Sequence, residues 1–180
     1  EKIDGANFAF YFNGIEHNQA SRNQFVDGTF YGASLVIEAH RPKIERLYRL
    51  LSDHLRSVTF TELQVFGELY GPSVQGRVNY GEKDFIGFEI LLDGLPMDKA
   101  SAIGAMARAD IQTVPVLFIG SFEEALQVGH SFRSHLTPDD HEGDNECEGV
   151  VIEPCTPAWM YNGKRIYFKH KTEAFSERKG

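Results

Sequence analysis

The order of the strand-like and helical segments is the feature that most restricts the fold. Segments typical of β-strands occupy 7–12, 29–40, 61–71, 83–94, 113–120, 147–154 and 164–171. Segments typical of helices occupy 41–57, 96–110 and 121–129. The helices interrupt the strands only intermittently, without the regular βαβ alternation of a parallel sheet. We therefore predict an α+β domain with largely antiparallel sheets and flanking helices.

Segment 61–71 shows the alternation of a half-buried strand. Leu63, Val65 and Leu69 stand at odd positions, so they share one face, because successive side chains of a strand point to opposite faces. Glu68 stands at an even position. We therefore expect Glu68 to point away from the side that these apolar residues bury.

Two helical segments carry terminal signals. Pro42 suits the first turn of a helix over 41–57, where its missing N–H costs no hydrogen bond. Ser121 and Glu124 have the spacing of a capping box, in which each side chain accepts the backbone N–H of the other residue. Gly129 is expected to end that helix.

Length and composition restrict the class of protein. A chain of 180 residues with 42% hydrophobic residues and a mean hydropathy of -0.32 is typical of one globular domain. It carries neither a signal peptide nor an apolar run of the roughly 20 residues that a membrane span needs. Cys147 and Cys155 lack metal-site spacing, which favours an intracellular, reducing location over secretion. The net charge of -8 argues against unspecific nucleic-acid binding but allows a local basic site.

Five charged residues stand where a reaction could use them. Lys2 lies in the opening EKIDGANFAF, Glu68 lies within FGELYG, and Glu148 precedes an apolar strand in CEGVV. Lys169 and Lys171 are two residues apart in YFKHK and share one strand face. Each alone is compatible with a solvated side chain, a turn or an edge-guarding lysine. Together they comprise a candidate nucleophile, carboxylates suited to metal or ribose, and two cations for phosphate.

Six stretches, in this order, resemble the nucleotidyltransferase domain of ATP-dependent ligases. They are EKIDGAN, SRN, VFGELYG with VQGRVNY, DFIGFEI, ECEGVVIEP and IYFKHKTEAFSE. The similarity runs nearly end to end and is strongest to RNA ligases of the bacteriophage and RNA-editing type. FGELYG and KHKTEAFSE favour RNA ligases over DNA ligases and capping enzymes. The resemblance implies the adenylation-domain fold that DNA ligases and capping enzymes share, which is unrelated to ATP-grasp.

The resemblance implies a covalent reaction on Lys2. Its amine attacks the α-phosphate of ATP, which gives lysyl-AMP and pyrophosphate. The AMP then passes to an RNA 5′-phosphate, and a 3′-OH displaces it to seal the strand. Lysine attacks only when neutral, and Lys169, Lys171 and a bound Mg²⁺ or Mn²⁺ would supply the positive field that favours this form. The same charges would stabilise the transferred phosphate.

The resemblance also assigns the nucleotide contacts. Glu1 and the backbone beside Lys2, at Ile3, would meet the adenine. Arg22 and Glu68 would hold the ribose. Phe88 would stack on the base, since aromatic faces commonly pack against nucleobases.

Further roles follow from the same resemblance. Val150 or Val151 would close the opposite side of the base pocket. Glu148 is the candidate metal ligand. Asp4 would support the reacting groups or assist strand sealing, and Asn7 would do so or contact the nucleotide.

The chain 1–180 is expected to be one adenylation domain, without its N-terminal lead-in and any C-terminal domain. The expected partner is RNA with 5′-phosphate and 3′-OH ends. We expect the protein to be a monomer and to have no membrane partner. Two alternatives stay open. One is a DNA ligase or mRNA-capping guanylyltransferase that shares the lysyl-nucleotide step, and the other is a catalytically silent RNA- or nucleotide-binding module.

Two weaker patterns carry other hypotheses. The first is a metal site or, alternatively, a solvated loop formed by His130, His135, His141, Asp139, Asp140, Glu142 and Asp144. The second is a set of RNA or phosphate contacts from Gln75, Arg77 and Tyr80, or plain turn chemistry.

Overall fold

The computed structural model describes residues 1–55 and 59–176, and these form two antiparallel sheets. The large sheet consists of β1 (Ala6–Phe12), β2 (His17–Ala20), β3 (Phe25–Val26), β4 (Leu63–Tyr70), β5 (Asp84–Leu92) and β6 (Leu95–Pro96). Its spatial order is β3-β2-β1-β4-β5-β6. The small sheet pairs β7 (Gly149–Ile152) with β8 (Phe168–Lys171). The pairings within both sheets are antiparallel, which confirms the predicted fold class.

In the described part of the chain, three α-helices accompany the sheets: α1 (Ser34–His54), α2 (Lys99–Arg108) and α3 (Phe122–Ala125). Short 3-10 turns occupy Phe30–Gly32 and Glu173–Phe175. The last two residues of the helix predicted over 41–57 lie outside the described residues. Within the described residues, no helix has both the length and the apolar character needed to cross a membrane.

One face of the large sheet forms the main core with α1 and α2. Phe8 and Phe10 of β1, Leu63 and Val65 of β4 and Ile90 of β5 are fully buried there. They stand at the alternate positions that a strand directs to one side, as the sequence predicts for β4. Each such side chain contributes roughly 1.5–3 kcal/mol when removed from water.

The prediction of a strand over 29–40 is wrong. The chain forms a 3-10 turn at Phe30–Gly32, and α1 begins at Ser34. Val36, Ile37 and His40 are buried, and their spacing continues the helical period of the buried residues downstream. The β-branched run therefore belongs to a helix. Pro42 consequently lies inside α1 and not in its first turn.

The prediction of a strand over 113–120 is also wrong. Only Thr113 forms a bridge, with Gly87 of β5, and the rest runs as an extended strap. Pro115 lacks the N–H that a strand ladder requires. Its carbonyl instead accepts the backbone nitrogen of Glu1 at 2.7 Å. The strap is thus fastened to the first residue and to β5.

The predicted capping box at Ser121 and Glu124 is confirmed, with both reciprocal hydrogen bonds present. The helix that it opens, α3, ends at Ala125, well before Gly129.

A second apolar cluster lies on the opposite face of the large sheet. It contains Ile3, Tyr70, Val78, Tyr80, Ile86 and Phe175. Because Ile86 and Phe85 are neighbours in β5, their side chains point to opposite faces, and Phe85 belongs to the main core. The second cluster therefore links the large sheet to the segment that follows β8.

Candidate active site

The face of the large sheet that turns away from α1 and α2 presents polar groups. Asn7 of β1 and Glu68 of β4 lie directly opposite each other in the antiparallel register. Glu68 stands between Gly67 and Leu69, whose face is buried against the helices, so its side chain emerges on the other face as predicted. Asn7 and Glu68 both line a cavity of about 710 Å³.

A β-bulge delivers Phe88 to the same cavity. Phe66 pairs with Glu89 and Gly67 pairs with Gly87, so Phe88 is the inserted residue of β5. A bulge bends the strand locally and changes the direction of nearby side chains, often next to active sites. Phe88 lines the cavity in consequence.

Lys2 lies where the chain passes from the small sheet to the large sheet. Its backbone N–H donates to the carbonyl of Gly149, the first residue of β7, at 2.9 Å, and the chain enters β1 at Ala6. Gly5 permits this crossing, because a Cβ there would stand 2.6 Å from the carbonyl oxygen of Leu69. The Lys-x-Asp-Gly motif therefore holds the lysine at the seam between two sheets.

Glu148 bridges two of the predicted lysines. Its Oε2 forms an ion pair with Nζ of Lys2, and its Oε1 lies 3.0 Å from Nζ of Lys171. The Glu148 side chain is 8% exposed. Its carboxylate is accordingly held by two cations, out of contact with most solvent.

Glu68 is a buried carboxyl group beside these charges. Burial raises the pKa of Glu68 from 4.5 to about 7, and the negative charge of Glu148 acts in the same direction. The positive charges of Lys2, Lys169 and Arg22 oppose this rise. The Oε2 atom of Glu68 is buried without a hydrogen-bond partner among the described residues. Glu68 thus offers an unused acceptor next to the cavity.

Lys169 is a cation that interacts with the same charged residues. Burial lowers the pKa of Lys169, and the positive charges of Lys2 and Arg22 lower it further. The carboxylates of Glu68 and Glu148 act against this shift. The site therefore combines mutually repelling cations with two carboxyl groups that offset them.

The cavity gathers the residues that the sequence assigns to nucleotide binding, except Lys171, which is not among the residues that line it. Its lining includes Glu1, Lys2, Ile3, Asn7, Arg22, Glu68, Phe88, Val150, Val151 and Lys169. The strap over 113–120, Phe66 and Ile103 supply much of the apolar wall. Its volume is in the range typical of small-molecule sites. Cations and carboxyl groups thus line the same cavity as apolar side chains suited to a flat ring.

The side chain of Glu1 is already engaged by the protein. Its Oε1 accepts the hydroxyl of Ser134 at 2.5 Å, and its Oε2 accepts the backbone N–H of His135 at 2.9 Å. The sequence analysis missed Ser134, since a lone serine in a polar loop carries no signal of a partner 133 residues away. If Glu1 contacts adenine, it would therefore use its backbone, or its carboxylate would also have to keep Ser134 and His135 as donors.

Asp4 acts as a structural anchor. Its Oδ2 accepts the backbone N–H of Arg77 at 3.1 Å and of Val78 at 3.4 Å, and its own N–H donates to the Tyr80 hydroxyl at 2.8 Å. Tyr80 is buried, and the Arg77 guanidinium lies 5.2 Å from the Phe175 ring centroid. The side chains of Arg77 and Tyr80, proposed from the sequence as RNA contacts, are thus already used in packing. The third candidate, Gln75, is exposed.

The histidines of the acidic loop do not converge. His135 lies 3.3 Å from Glu1, His141 contacts Asn79, and His130 stacks on His170 with ring centroids 3.6 Å apart. Within residues 1–55 and 59–176, no three His, Cys, Asp or Glu side chains form a metal-binding group. Of the two alternatives given by the sequence, the structure therefore favours a solvated loop over a metal site.

Four charged residues of the cavity wall were missed by the sequence analysis. Lys99 pairs with Glu153 and also donates to the Phe88 carbonyl at 2.7 Å, while Arg165 pairs with Glu89 at 2.7 Å. Each pair joins segments far apart in the chain. Only the alternation of β5 offered a signal, because it puts Glu89 on the face opposite the buried Ile90.

The arrangement is suited to group transfer from a phosphorylated nucleotide. An amine that could attack a phosphate faces the cavity at Lys2, and cations lie around it at Lys169, Lys171 and Arg22. Glu148 and Glu68 provide carboxylate oxygens, the ligand type that Mg²⁺ and Mn²⁺ prefer. The unpartnered Oε2 of Glu68 adds an acceptor for a hydroxyl or a cation.

Solved structures of similar shape come from the RNA ligase of Naegleria gruberi. The form with ATP and Mn has a TM-score of 0.63 at 19% identity and covers 97% of this chain and 49% of that chain. The form with PPi has a TM-score of 0.63 at 20% identity, covering 97% and 48%. The form with AMP and Mn has a TM-score of 0.62 at 18% identity, again covering 97% and 48%. The chain thus spans about half the length of that ligase, and the likeness confirms the predicted fold.

The sequence model of the RNA ligase family matches residues 1–171. The match includes Lys2, Glu68, Glu148, Lys169 and Lys171. It thus extends over nearly the whole chain and all five charged residues singled out from the sequence. The chain belongs to the RNA ligase family.

Proposed function

We propose that this chain is the adenylation domain of an ATP-dependent RNA ligase. The observation that carries the proposal is the position of Lys2. Its amine pairs with Glu148 at the wall of a cavity that Arg22, Glu68 and Lys169 also line. A nucleophile, a phosphate-binding set of cations and an apolar base pocket therefore adjoin one another.

The nucleotide would lie in this cavity. Phe88 and Val150 both line it and offer apolar surfaces for adenine. The unpartnered Oε2 of Glu68 would accept a ribose hydroxyl, with Arg22 beside it. Lys169 would meet the phosphates.

The first step forms a bond between Nζ of Lys2 and the α-phosphorus of ATP. The bond from that phosphorus to the bridging oxygen breaks, pyrophosphate leaves, and the lysine proton passes to solvent. The chain's own cations favour this step, because positive charge beside the reacting phosphate stabilises the negative charge that develops on it. Glu148 must release Lys2 from their ion pair for the attack to occur.

Glu148 is also the residue we assign to Mg²⁺ or Mn²⁺, whose charge would neutralise the phosphates. The donor set suits a hard cation, since Glu148 and the nearby Glu68 present carboxylate oxygens and Glu68 has a free one.

Two further transfers complete the proposed reaction. A 5′-phosphate oxygen of RNA attacks the AMP phosphorus, and the amine of Lys2 leaves. A 3′-hydroxyl then attacks the 5′-phosphorus of that RNA, which forms the phosphodiester bond and releases AMP. The likeness to a ligase solved with ATP, AMP and PPi supports ATP as the nucleotide of the first step.

Labelling with ATP that carries radioactive phosphate at the α-position tests the first step. We expect an acid-labile label on the wild-type chain, none on Lys2→Ala and none on Lys2→Arg, which keeps the charge paired with Glu148. Lys43→Ala on α1, where Lys43 lies 3.5 Å from Asp110, is the matched control and should label normally. A label that survived in Lys2→Ala would exclude Lys2 as the nucleophile.

The same assay separates the alternatives. Labelling with GTP but not ATP would indicate a capping enzyme. Binding of ATP with no label under any divalent metal would indicate a silent nucleotide-binding module. Supplying labelled enzyme with 5′-phosphorylated RNA or DNA strands then distinguishes an RNA ligase from a DNA ligase, since only the accepted strand removes the label.

A further inference from the structure

The residues between the two strands of the small sheet form a hairpin over 158–166. Trp159 and Arg165 pair as an antiparallel bridge. The N–H of Met160 donates to the carbonyl of Lys164 at 2.8 Å, and the N–H of Gly163 closes the turn onto Met160 at 2.9 Å. Tyr161 stands in this turn and is fully exposed. The hairpin is therefore an ordered element that projects aromatic side chains into solvent.

The composition of this part of the chain departs sharply from the rest. Residues 156–171 contain the cations Lys164, Arg165, Lys169 and Lys171 and no Asp or Glu, although the whole chain has a net charge of -8. The same residues contain the aromatics Trp159, Tyr161, Tyr167 and Phe168. Basic residues interleaved with aromatic ones are thus concentrated beside the active site of an acidic protein.

Two cation–π pairs and the exposed Tyr161 lie between the active site and the tip of the hairpin, and we call these five residues the aromatic-basic stripe. Nζ of Lys169 lies 5.3 Å from the ring centroid of Tyr167, and both residues line the nucleotide cavity. Arg165 also lines the cavity, and its guanidinium lies 5.4 Å from the ring centroid of Trp159. Tyr161 follows at the turn. The stripe thus runs from Lys169 to Tyr161.

The rings of the stripe are accessible. Trp159 and Tyr167 are 50% and 53% exposed. Glu89 neutralises part of the Arg165 charge through Nη2, yet the buried Nε of Arg165 has no partner among the described residues. Arg165 accordingly supports the indole ring, and the other cations of this stretch give the surface its positive charge.

This chemistry matches single-stranded nucleic acid. Phosphates require cations, and unpaired bases stack on exposed aromatic rings. Bases inside a duplex are already stacked on each other, so a row of rings gains little from them. The aromatic-basic stripe offers both components along one line that ends at the proposed phosphate-binding residue, Lys169.

We propose that the aromatic-basic stripe binds unpaired nucleotides of the RNA end that enters the active site, with bases stacked on Trp159 and Tyr161. The proposal rests on the proposed function, because it assigns a path to the RNA that this function requires. Trp159 and Tyr161 hold the strand and take no part in the transfer of AMP.

Trp159 is itself the probe, because it is the one tryptophan in the chain. Its fluorescence should be quenched when a 5′-phosphorylated single strand of about ten ribonucleotides is added, a length within the range of single-strand sites. A blunt, fully paired RNA duplex should quench much less. Equal quenching by the duplex, or no quenching while a dye-labelled strand binds, would overturn stacking on Trp159.

Variants test the contribution to RNA affinity, measured by anisotropy of the same dye-labelled strand. Trp159→Ala and Tyr161→Ala should each weaken binding at least about fivefold, which is the lower limit for losing one base–aromatic stack. Trp159→Phe keeps a ring and should retain most of the affinity, whereas Trp159→Leu keeps the bulk without the ring and should not. Tyr161→Ala removes a fully exposed side chain, so its effect on folding is negligible.

Ile15→Ala is the matched control, because Ile15 is an exposed apolar residue in the turn between β1 and β2. It should leave RNA affinity unchanged, and all variants should label Lys2 with ATP at the wild-type rate. Unchanged RNA affinity in both alanine variants, with normal labelling, would overturn the stripe and leave the proposed function intact. Absent labelling of the wild-type chain would instead contradict the proposed function, while the fluorescence titration still reports on the stripe.

Discussion

Glu148 is in ion-pair contact with Lys2 although 146 residues separate the two in the chain. The contact forms because the backbone of Lys2 is bridged to Gly149, the residue after Glu148. Lys171 shares the same carboxylate at 3.0 Å. One carboxylate therefore holds the proposed nucleophile and a proposed phosphate-binding lysine together, and the proposed attack by Lys2 requires the carboxylate to release it.

Replacing Glu148 by Gln should raise the requirement for divalent metal. The amide keeps the size of the side chain but removes the charge that would hold Mg²⁺ or Mn²⁺. We expect the Mn²⁺ concentration for half-maximal labelling of Lys2 to rise by at least about tenfold, the scale on which metal sites respond to altered ligands. Labelling at a series of Mn²⁺ concentrations measures it.

Glu45→Gln is the control for this experiment, because Glu45 also belongs to an ion pair, with His17 at 3.1 Å, but lies on α1. Its metal requirement should equal that of the wild type. An unchanged requirement in Glu148→Gln would remove Glu148 from the metal site and leave it with the ion pair alone.

The raised pKa of Glu68 predicts a pH-dependent cost of folding. With a pKa of about 7 in the folded chain and 4.5 in the unfolded chain, the folded chain binds more protons between these values. The free energy of unfolding therefore falls as pH rises from about 4.5 to about 7. At 1.36 kcal/mol for each pKa unit, the full cost above pH 7 is roughly 3 kcal/mol.

Glu68→Gln should remove this cost. We expect the variant to be more stable than the wild type at pH 8, by up to roughly 3 kcal/mol, and to gain little at pH 4.5, as measured by urea unfolding. Labelling of Lys2 should fall at the same time, since the amide keeps one acceptor oxygen where the carboxylate offers the ribose two. Glu38→Gln, on the exposed side of α1, should change neither quantity. A gain that is equal at both pH values would contradict the assignment to ionisation of Glu68.

The proximity of the candidate site residues was more predictable from the sequence than parts of the fold, and the roles of these residues stay predictions. Glu68 follows from strand alternation, and Lys2, Glu148 and Lys169 follow from resemblance to a family with ordered motifs. These signals are local in the chain. These motifs place their residues near one another because each lies on or beside a strand whose direction the neighbouring apolar residues determine.

The failures have identifiable physical causes. The β-branched run before Pro42 is ambiguous by composition, and its helical period becomes visible only when the buried positions are known. The strap over 113–120 is apolar enough for a strand, but Pro115 removes a donor from the ladder. The contact of Ser134 with Glu1 depends on loop closure over most of the chain, which no local pattern records.

The position of Asp4 predicts a role in stability. Its buried carboxylate accepts two backbone N–H groups, from Arg77 and Val78, so Asp4→Ala leaves both without this partner. We expect the free energy of unfolding to fall by about 1–3 kcal/mol, measured in urea, and by less in Asp4→Asn, which keeps one acceptor. Asp140→Ala, in an exposed loop, should have little effect. Equal stability of Asp4→Ala and the wild type would show that water replaces the carboxylate without cost.

Gly149 is the position where the smallest substitution should do the most damage. Its φ of +138° is a conformation that side chains with a Cβ rarely adopt, and a Cβ there would lie 2.1 Å from the His170 carbonyl oxygen. Gly149→Ala should therefore push β7 away from β8 and displace Glu148 from Lys171. We expect a stability loss of about 1–3 kcal/mol from the backbone strain alone, together with weaker labelling of Lys2.

Gly104→Ala is the same chemical change, but we expect it to raise the stability of the chain. Gly104 lies on α2, and a Cβ there would meet no atom within 4 Å. Alanine should stabilise this helix by roughly 0.5–1 kcal/mol, because glycine loses more backbone freedom on folding. Thermal unfolding of the two variants beside the wild type measures both effects. If Gly149→Ala matched Gly104→Ala in stability, the close approach of β7 and β8 at Glu148 would be incorrect, and with it the geometry of the Lys2 site.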